Sequence, residues 1–126
     1  MPNAALNATS ETRRLHAEAL VDTTHPPPRA TVHGTVFGDR ASHISRLHAG
    51  DEVMLIPGPP IDDDPGIWVH MPGGDVLGHL PPEIEFWLAP WMLRGGRARA
   101  RAVRVSGADT PSWRRILLEV ELATEF

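Results

Sequence analysis

A histidine in a tight corner is the residue of this chain best placed to recognise a ligand. His79 lies in the run Gly78-His79-Leu80-Pro81, between a short apolar strand and a predicted helix. The start of a helix presents unbonded N–H groups and the positive end of the helix dipole, both of which suit a phosphate. An imidazole beside them can donate a hydrogen bond to a phosphate or a terminal hydroxyl. The alternative is a histidine that only packs at the edge of the core.

Three arginines alternate along one predicted strand near the C-terminus. Arg97, Arg99 and Arg101 recur at a period of two, which directs their side chains to one face of the strand. Their repeat of about 6.6 Å, twice the rise per residue, is close to the phosphate spacing of an extended single strand. In the competing interpretation the row is a solvated face that pairs with Glu119 and Glu121 on the next strand.

Two aromatic residues are candidates for stacking on nucleobases. Trp113 is followed by Arg114 and Arg115 at the start of a predicted strand, and aromatic rings flanked by arginines commonly stack on bases. Phe37 ends the first predicted strand, and Arg40 follows it in a loop where it can add positive charge. The remaining tryptophans are predicted to pack in the core or between helix and barrel: Trp68, Trp87 and Trp91.

Composition excludes several classes of site. The 126 residues include no cysteine, so neither a disulfide framework nor a thiolate metal site can form. The net charge of −4 argues against indiscriminate binding to nucleic acid. No apolar run approaches the ~20 residues of a membrane span, and no apolar leader is apparent, so a cytoplasmic location is expected.

Neither catalysis nor metal binding is predicted. The acidic run Asp62–Asp64, together with His70, offers oxygen and nitrogen ligands, but it lacks the spacing of a calcium loop and is enclosed by prolines. The sequence contains no recognisable nucleophile–base pattern and no glycine loop that cradles phosphate. We therefore expect a protein that is not an enzyme and needs no cofactor.

The elements that position these residues are predicted to be mainly β. Short β-branched runs bounded by glycine and proline indicate about six strands, the last two joined as an antiparallel hairpin. The proline-rich segment 57–66 is predicted to be a loop without strand capacity. The predicted strands span 31–37, 52–56, 67–71, 76–77, 97–105 and 115–123. The last is predicted to be half-buried, with one face formed by Ile116, Leu118, Val120 and Leu122.

One helical insertion is predicted over about residues 81–94, before the last two strands. Pro82 suits a first helical turn, and apolar residues follow at spacings of three and four. Pro90 is predicted to stop or kink this helix, and Gly95 with Gly96 to cap it.

The chain is predicted to form one domain behind a tail. Residues 1–29 are expected to be a flexible, partly helical tail that ends in a proline-rich linker, and residues 30–126 to fold as the domain. About six strands with one helical insertion predict a small, partly open β-barrel of the OB or SH3 kind. A β-sandwich is the competing topology.

The order of several short motifs resembles the HIRAN domain. This domain occurs at the N-terminus of Rad5-type remodelling helicases, including helicase-like transcription factor, and as stand-alone bacterial proteins. The resemblance covers about residues 31–122. The matching motifs are Val32-x-Gly34, Leu47-x-x-Gly50-Asp51-x-Val53-x-Leu55, the loop Pro57–Pro65, Ile67-x-Val69, Gly74-x-x-Leu77-Gly78-His79-Leu80-Pro81, Leu88-Ala89-Pro90 and Gly95.

The resemblance implies a modified OB-like barrel that binds single-stranded DNA and, in eukaryotic members, captures a free 3′ end. His79 matches the family's corner residue, Asp63 or Asp64 the loop acid, and Phe37 the aromatic of the first strand. Trp113 can take the place of the second stacking aromatic. The chain departs from the family in lacking the loop asparagine, and Val36 stands where the end-capturing members carry arginine.

Taken together, these patterns predict a stand-alone module that binds single-stranded nucleic acid by aromatic stacking and arginine–phosphate contacts. The alternative is a protein-interaction barrel that has lost the DNA-end pocket and serves as an adaptor for a helicase or nuclease. No membrane contact is predicted. The residues predicted to bind nucleic acid are Phe37, Arg40, Asp63, His79, Arg97, Arg99, Arg101 and Trp113.

Overall fold

A computed structural model describes residues 27–61 and 64–123. The predicted tail therefore lies largely outside the described residues, as does Asp63, the loop acid named above. The boundary between tail and domain stays a prediction.

Six antiparallel strands form a curled half-barrel, which confirms the mainly β prediction. The sheet order is β1-β6-β5-β2-β3-β4. A short helix, α1, follows β1, and the longer helix α2 lies between β4 and β5. The elements are β1 Arg29–Thr31, α1 Arg40–Ile44, β2 Glu52–Ile61, β3 Asp64–His70, β4 Val76–His79, α2 Pro82–Leu93, β5 Arg97–Val105 and β6 Ile116–Ala123.

Residues 29–33 link the two edges of the sheet. Ala30 in β1 pairs with Leu118 of β6, at one end of the strand order. Two residues beyond β1, His33 exchanges backbone hydrogen bonds with His79 of β4, at 2.8 and 2.9 Å, at the other end of that order. The edge strand β1 and the residues just after it thus connect to the other edge strand, β4, and the sheet must curl to allow it.

The interior of the half-barrel is filled by the alternate residues that the sequence pattern assigns to it. In β6 the four inward residues are buried, as predicted: Ile116, Leu118, Val120 and Leu122. Helix α2 adds Trp87 and Trp91, each less than a tenth exposed, which confirms their predicted place in the core. Trp68 is the exception: it is only half-buried and lies on the outward side of the sheet.

Helix α2 runs through Pro90 to Leu93, so the predicted stop at this proline is wrong, while the alternative, a kink, stays a prediction. Proline removes a single backbone bond, and here it does so in the last turn of a helix already anchored by buried tryptophans. The predicted cap is confirmed. Gly95 has φ +103° and donates its N–H to Met92 O at 3.1 Å, and Gly96 donates to Trp91 O at 3.0 Å.

The proline-rich segment predicted as a loop is instead part of the β2–β3 hairpin. Pro57 pairs with Ile67 and Gly58 with Gly66, after which the register shifts. Proline is tolerated because the ladder between β2 and β5 ends at Val53, so the missing N–H of Pro57 leaves no strand partner unsatisfied.

The first strand is shorter than the predicted range 31–37 and begins earlier, at Arg29. It ends at Thr31, and a turn follows in which Gly34 adopts φ +72°, a conformation that favours glycine and interrupts an extended strand. Phe37 therefore lies in a turn rather than in a strand. Arg40 begins helix α1, whereas the sequence pattern predicts a loop at this position.

Candidate nucleic-acid interface

His79 lies on the outward side of the sheet, where its ring contacts the backbone of the next residue, Leu80, and two other rings. Nδ1 is 3.0 Å from the carbonyl oxygen of Leu80, which can only accept, so Nδ1 carries a hydrogen and donates it. In the neutral ring Nε2 is then an acceptor. The ring meets Trp68 edge-on, with centroids 5.9 Å apart, and lies 6.1 Å from the ring of His33.

Strand register places Trp68 at the centre of an outward row. Trp68 pairs with Ile56 of β2 on one side and with His79 of β4 on the other. Directly opposed residues point to the same face of a sheet, and Ile56 is 37% exposed. The indole of Trp68 thus lies half-buried on the outward face, between an aliphatic and an imidazole side chain.

Arg40 joins the turn after β1 to this row. Its guanidinium carbon is 5.6 Å from the ring centroid of Phe37 and 5.4 Å from that of Trp68. Its Nη1 donates a hydrogen bond of 2.8 Å to Gly34 O. We call the set Phe37, Arg40, Trp68 and His79 the aromatic corner.

Gly34 lets the turn approach the aromatic corner closely. A Cβ at this position would lie 3.2 Å from Arg40 Nη1 and 3.2 Å from His79 Cδ2. Such a separation is tight, so a side chain here would displace the groups that form the corner.

Arg40 carries the corner's full positive charge. None of the ion pairs among the described side chains includes it, and its planar group is oriented by a backbone carbonyl and two rings. A guanidinium held in this way remains able to donate to a phosphate while its flat face stays against the rings.

Trp113 is connected to the turn that carries Phe37. Between them, Thr35 is fully buried and donates its hydroxyl hydrogen to Ser112 O at 3.1 Å. Trp113 is 52% exposed and Phe37 63% exposed, and the guanidinium of Arg114 lies 5.6 Å from the indole of Trp113. The structure therefore ties Trp113 to the turn of the aromatic corner.

One hydrogen bond and one ion pair fix helix α1 and the residues just after it against the start of β4. His43 Nδ1 donates to Val76 O at 3.1 Å, and Arg46 Nη2 lies 2.8 Å from Asp75 Oδ2. The hydrogen bond from Arg46 and the charge of His43 lower the pKa of Asp75. We call His43, Arg46 and Asp75 the α1 clasp.

A buried carboxylate supports the strand that carries Trp68. Glu85, in the first turn of α2, accepts a 2.6 Å hydrogen bond from the backbone N–H of Ile67. From its place in the first turn alone, a glutamate is expected only to interact with the helix dipole. Its burial below a tenth exposed follows from tertiary packing.

The arginine row on β5 lies opposite glutamates. Arg99 pairs with Glu121 and Arg101 with Glu119 across the β5–β6 ladder, and both side-chain separations are 3.6 Å. This geometry is that of the solvated, ion-paired face. Arg97 stands opposite Ala123.

Of the predicted residues, Phe37 and Arg40 are in direct contact and His79 joins them through Trp68. Trp113 is tied to the same turn, and the three arginines of β5 lie elsewhere in the sheet. The residue missed by the sequence analysis is Trp68, because the run Ile67–Met71 alternates like any half-buried strand. Within the described ranges there is no cluster of His, Asp and Glu able to hold a metal ion. The helices found there are too short or too polar to cross a membrane.

Comparison with known proteins gives information on the fold and none on the function. No protein-family model matches the chain, and no curated protein matches it. Among solved structures, the crystal structure of a structural-genomics target from Lactobacillus plantarum is similar, with a TM-score of 0.57 and 21% identity. The similarity covers 74% of this chain and 91% of that one. At this identity it indicates a shared fold and says nothing of a shared activity.

Proposed function

We propose that this protein binds single-stranded nucleic acid at the aromatic corner. The observation that carries the proposal is the arrangement of Arg40 over Phe37 and Trp68, with no described carboxylate paired to it. Aromatic platforms combined with an arginine are how proteins hold unpaired bases and their phosphates. The resemblance to the HIRAN domain independently assigns Phe37 and His79 to such a site.

Each group of the corner has a chemical role in this proposal. The exposed ring of Phe37 stacks on one base, which contributes about 1–3 kcal/mol. Arg40 donates to the adjoining phosphate. In its neutral form His79 presents Nε2 as an acceptor, which suits the hydroxyl at the end of a strand. Trp113, on the neighbouring loop, is available to a second base.

The arginine row has a smaller role here than the sequence pattern predicts. Because Arg99 and Arg101 are paired with glutamates, a phosphate must compete with an existing partner at each of them. Exposed ion pairs of this kind are weak, up to about 1 kcal/mol, but each glutamate offsets the charge of the arginine it faces.

The test is fluorescence anisotropy of a short labelled oligothymidine at low salt, with its 3′ end either free or carrying a phosphate. We expect saturable binding that weakens by about tenfold or more in Phe37→Ala and in Arg40→Ala, given the magnitudes of stacking and charged hydrogen bonds. Leu93→Ala is the matched control, because Leu93 is equally exposed but lies at the end of α2.

The two forms of the oligonucleotide separate two modes of binding. Recognition of the terminus is supported if the blocked form binds more weakly than the free form and if this difference disappears in His79→Ala. Equal binding of both forms restricts the site to base and phosphate contacts. No binding at ~100 μM protein, or equal losses in Leu93→Ala and Phe37→Ala, contradicts the proposal.

A further inference from the structure

The hydrogen-bonded pairing of β2 with β5 stops before either strand ends. Their ladder includes the bonds Gly50 N–H to Ala102 O at 2.7 Å and Ala102 N–H to Asp51 O at 2.8 Å, and its last pair is Val53 with Ala100. Beyond that pair β2 continues to Ile61, and β5 reaches back to Arg97. Two strand edges thus face each other without forming a ladder.

The next residues in the alternation are Leu55 on β2 and Ala98 on β5. In an antiparallel ladder every second residue directs its N–H and C=O to the same neighbour, so these two follow Val53 and Ala100 in facing the gap. They form no pair in the β2–β5 register. Backbone groups of this kind require a partner, and the gap leaves that place to solvent or to a ligand.

The gap is a groove with an apolar floor. Its volume is about 340 Å³, and the end of helix α2 closes one side of it through Met92 and the Gly95–Gly96 cap. Leu55 is buried, while Met92 and Ala98 are half-buried. A small groove lined by apolar side chains, with a few directed polar groups, is typical of a binding site for one short segment.

Pro57 limits the hydrogen bonds that one edge of the groove can form. It lies two residues after Leu55 and contributes a carbonyl oxygen but no N–H. A bound strand can donate a hydrogen bond to the carbonyl oxygen of Pro57 but can accept none from its nitrogen. The proline also weakens continuous pairing with a second copy of the same edge, a common protection of exposed strands.

The charge at the rim of the groove is positive. Arg97 lines the groove, and Arg94 precedes it at the C-terminus of α2, and both are exposed. No ion pair among the described side chains includes either of them, in contrast to the pairs formed by Arg99 and Arg101. The rim therefore complements an acidic segment.

We propose that this groove binds an extended, acidic peptide segment of a partner protein, which adds a strand between β2 and β5. Its backbone pairs with Leu55 and Ala98, its small apolar side chains cover the floor, and an acidic side chain meets Arg97. This mode of recognition uses main-chain hydrogen bonds for affinity and alternate side chains for specificity. The groove and the aromatic corner are formed by different residues, so the two activities are independent.

The test uses the full-length protein and a labelled seven-residue peptide of alternating valine and glutamate, followed by anisotropy and by amide hydrogen exchange. We expect saturable binding, with slower exchange at Leu55 and Ala98. A peptide N-methylated at alternate residues is expected to bind at least tenfold more weakly, because it has lost donors to one edge. A valine–lysine peptide is expected not to bind.

Arg97→Glu is expected to weaken binding of the valine–glutamate peptide by about tenfold. Arg104→Glu is the matched control, since Arg104 is an exposed arginine on the same strand outside the groove. Equal losses in both variants, undiminished binding of the N-methylated peptide, or no binding at ~1 mM overturns the proposal. So does protection of Leu55 and Ala98 that rises with protein concentration and is insensitive to peptide, because a second copy then fills the groove.

Discussion

At the scale of single residues, the candidate interface depends on how closely one turn approaches two side chains. Gly34 places its backbone against Arg40 and His79, and its carbonyl oxygen accepts the bond that orients the guanidinium. Sequence patterns predicted Phe37, Arg40 and His79 as separate candidates. They could not predict Trp68 as a fourth, because the contact depends on strand register rather than on residue type.

Gly34→Ala is expected to weaken both folding and oligonucleotide binding. The residue has φ +72°, which costs an L side chain about 1–2 kcal/mol, and the new Cβ presses on Arg40 and His79. Gly38→Ala is a matched control, with φ +57° but nothing within 4 Å of its Cβ. We expect it to lose similar stability and to keep its affinity, as measured by urea denaturation and anisotropy. Equal affinity losses in both variants contradict the close-approach argument.

At the scale of elements, two supports hold the strands and helices that carry the corner. The α1 clasp joins α1 to the start of β4, and Glu85 joins α2 to β3. Hydrophobic spacing predicted helix α2 and its cap, because those depend on neighbouring residues. The extended β2–β3 hairpin was not predicted, because four prolines argue against a strand unless one edge has no ladder to satisfy.

The α1 clasp is expected to give a stability contribution that is lost in acid. The pKa of Asp75 is lowered, chiefly by the hydrogen bond from Arg46. A carboxyl whose folded pKa lies below its unfolded value stabilises the fold above the unfolded value, about 3.9, and this contribution disappears as pH falls through the folded pKa.

Asp75→Asn should therefore lower the urea midpoint at pH 7 and have progressively less effect below about pH 4. Asp109→Asn, at an exposed position in the β5–β6 turn, is the control and should leave the urea midpoint unchanged both at pH 7 and below pH 4. A difference that persists unchanged at pH 2.5 would show that Asp75 acts by packing rather than by charge.

Glu85 is expected to matter for stability far more than its neighbour in the same turn. Glu85→Ala leaves the buried N–H of Ile67 without this acceptor, and a buried donor left unsatisfied costs about 1–3 kcal/mol. Glu83→Ala, at an exposed position one residue before Ile84, is expected to cost less than about 0.5 kcal/mol. Chemical denaturation of both variants measures the difference, and equal costs would contradict a supporting role for Glu85.

At the scale of the whole molecule, the net charge of −4 opposes nucleic acid, so the proposed binding depends on the local charge of Arg40 at the aromatic corner. An interface whose positive charge comes from Arg40 contacts about one phosphate. The logarithm of the affinity for a single strand should then fall against the logarithm of salt concentration with a slope of about −0.7. The double variant Arg99→Glu/Arg101→Glu should leave this slope nearly unchanged. A slope steeper than about −3 would mean that the arginine row binds phosphate after all.

The sequence alone determined the class of the fold, most of the strands, the helix with its glycine cap, the buried face of β6 and the chemistry of the separate site residues. Each of these follows from local spacing, since alternation, helical periodicity and turn residues act over a few positions. Only the tertiary structure decided the register that places Trp68 beside His79, the turn that brings Arg40 over two rings, the glutamates opposite the arginine row, and the gap between β2 and β5. Those arrangements join residues distant in the chain, and curling of the sheet, which no local pattern encodes, sets the distances between them.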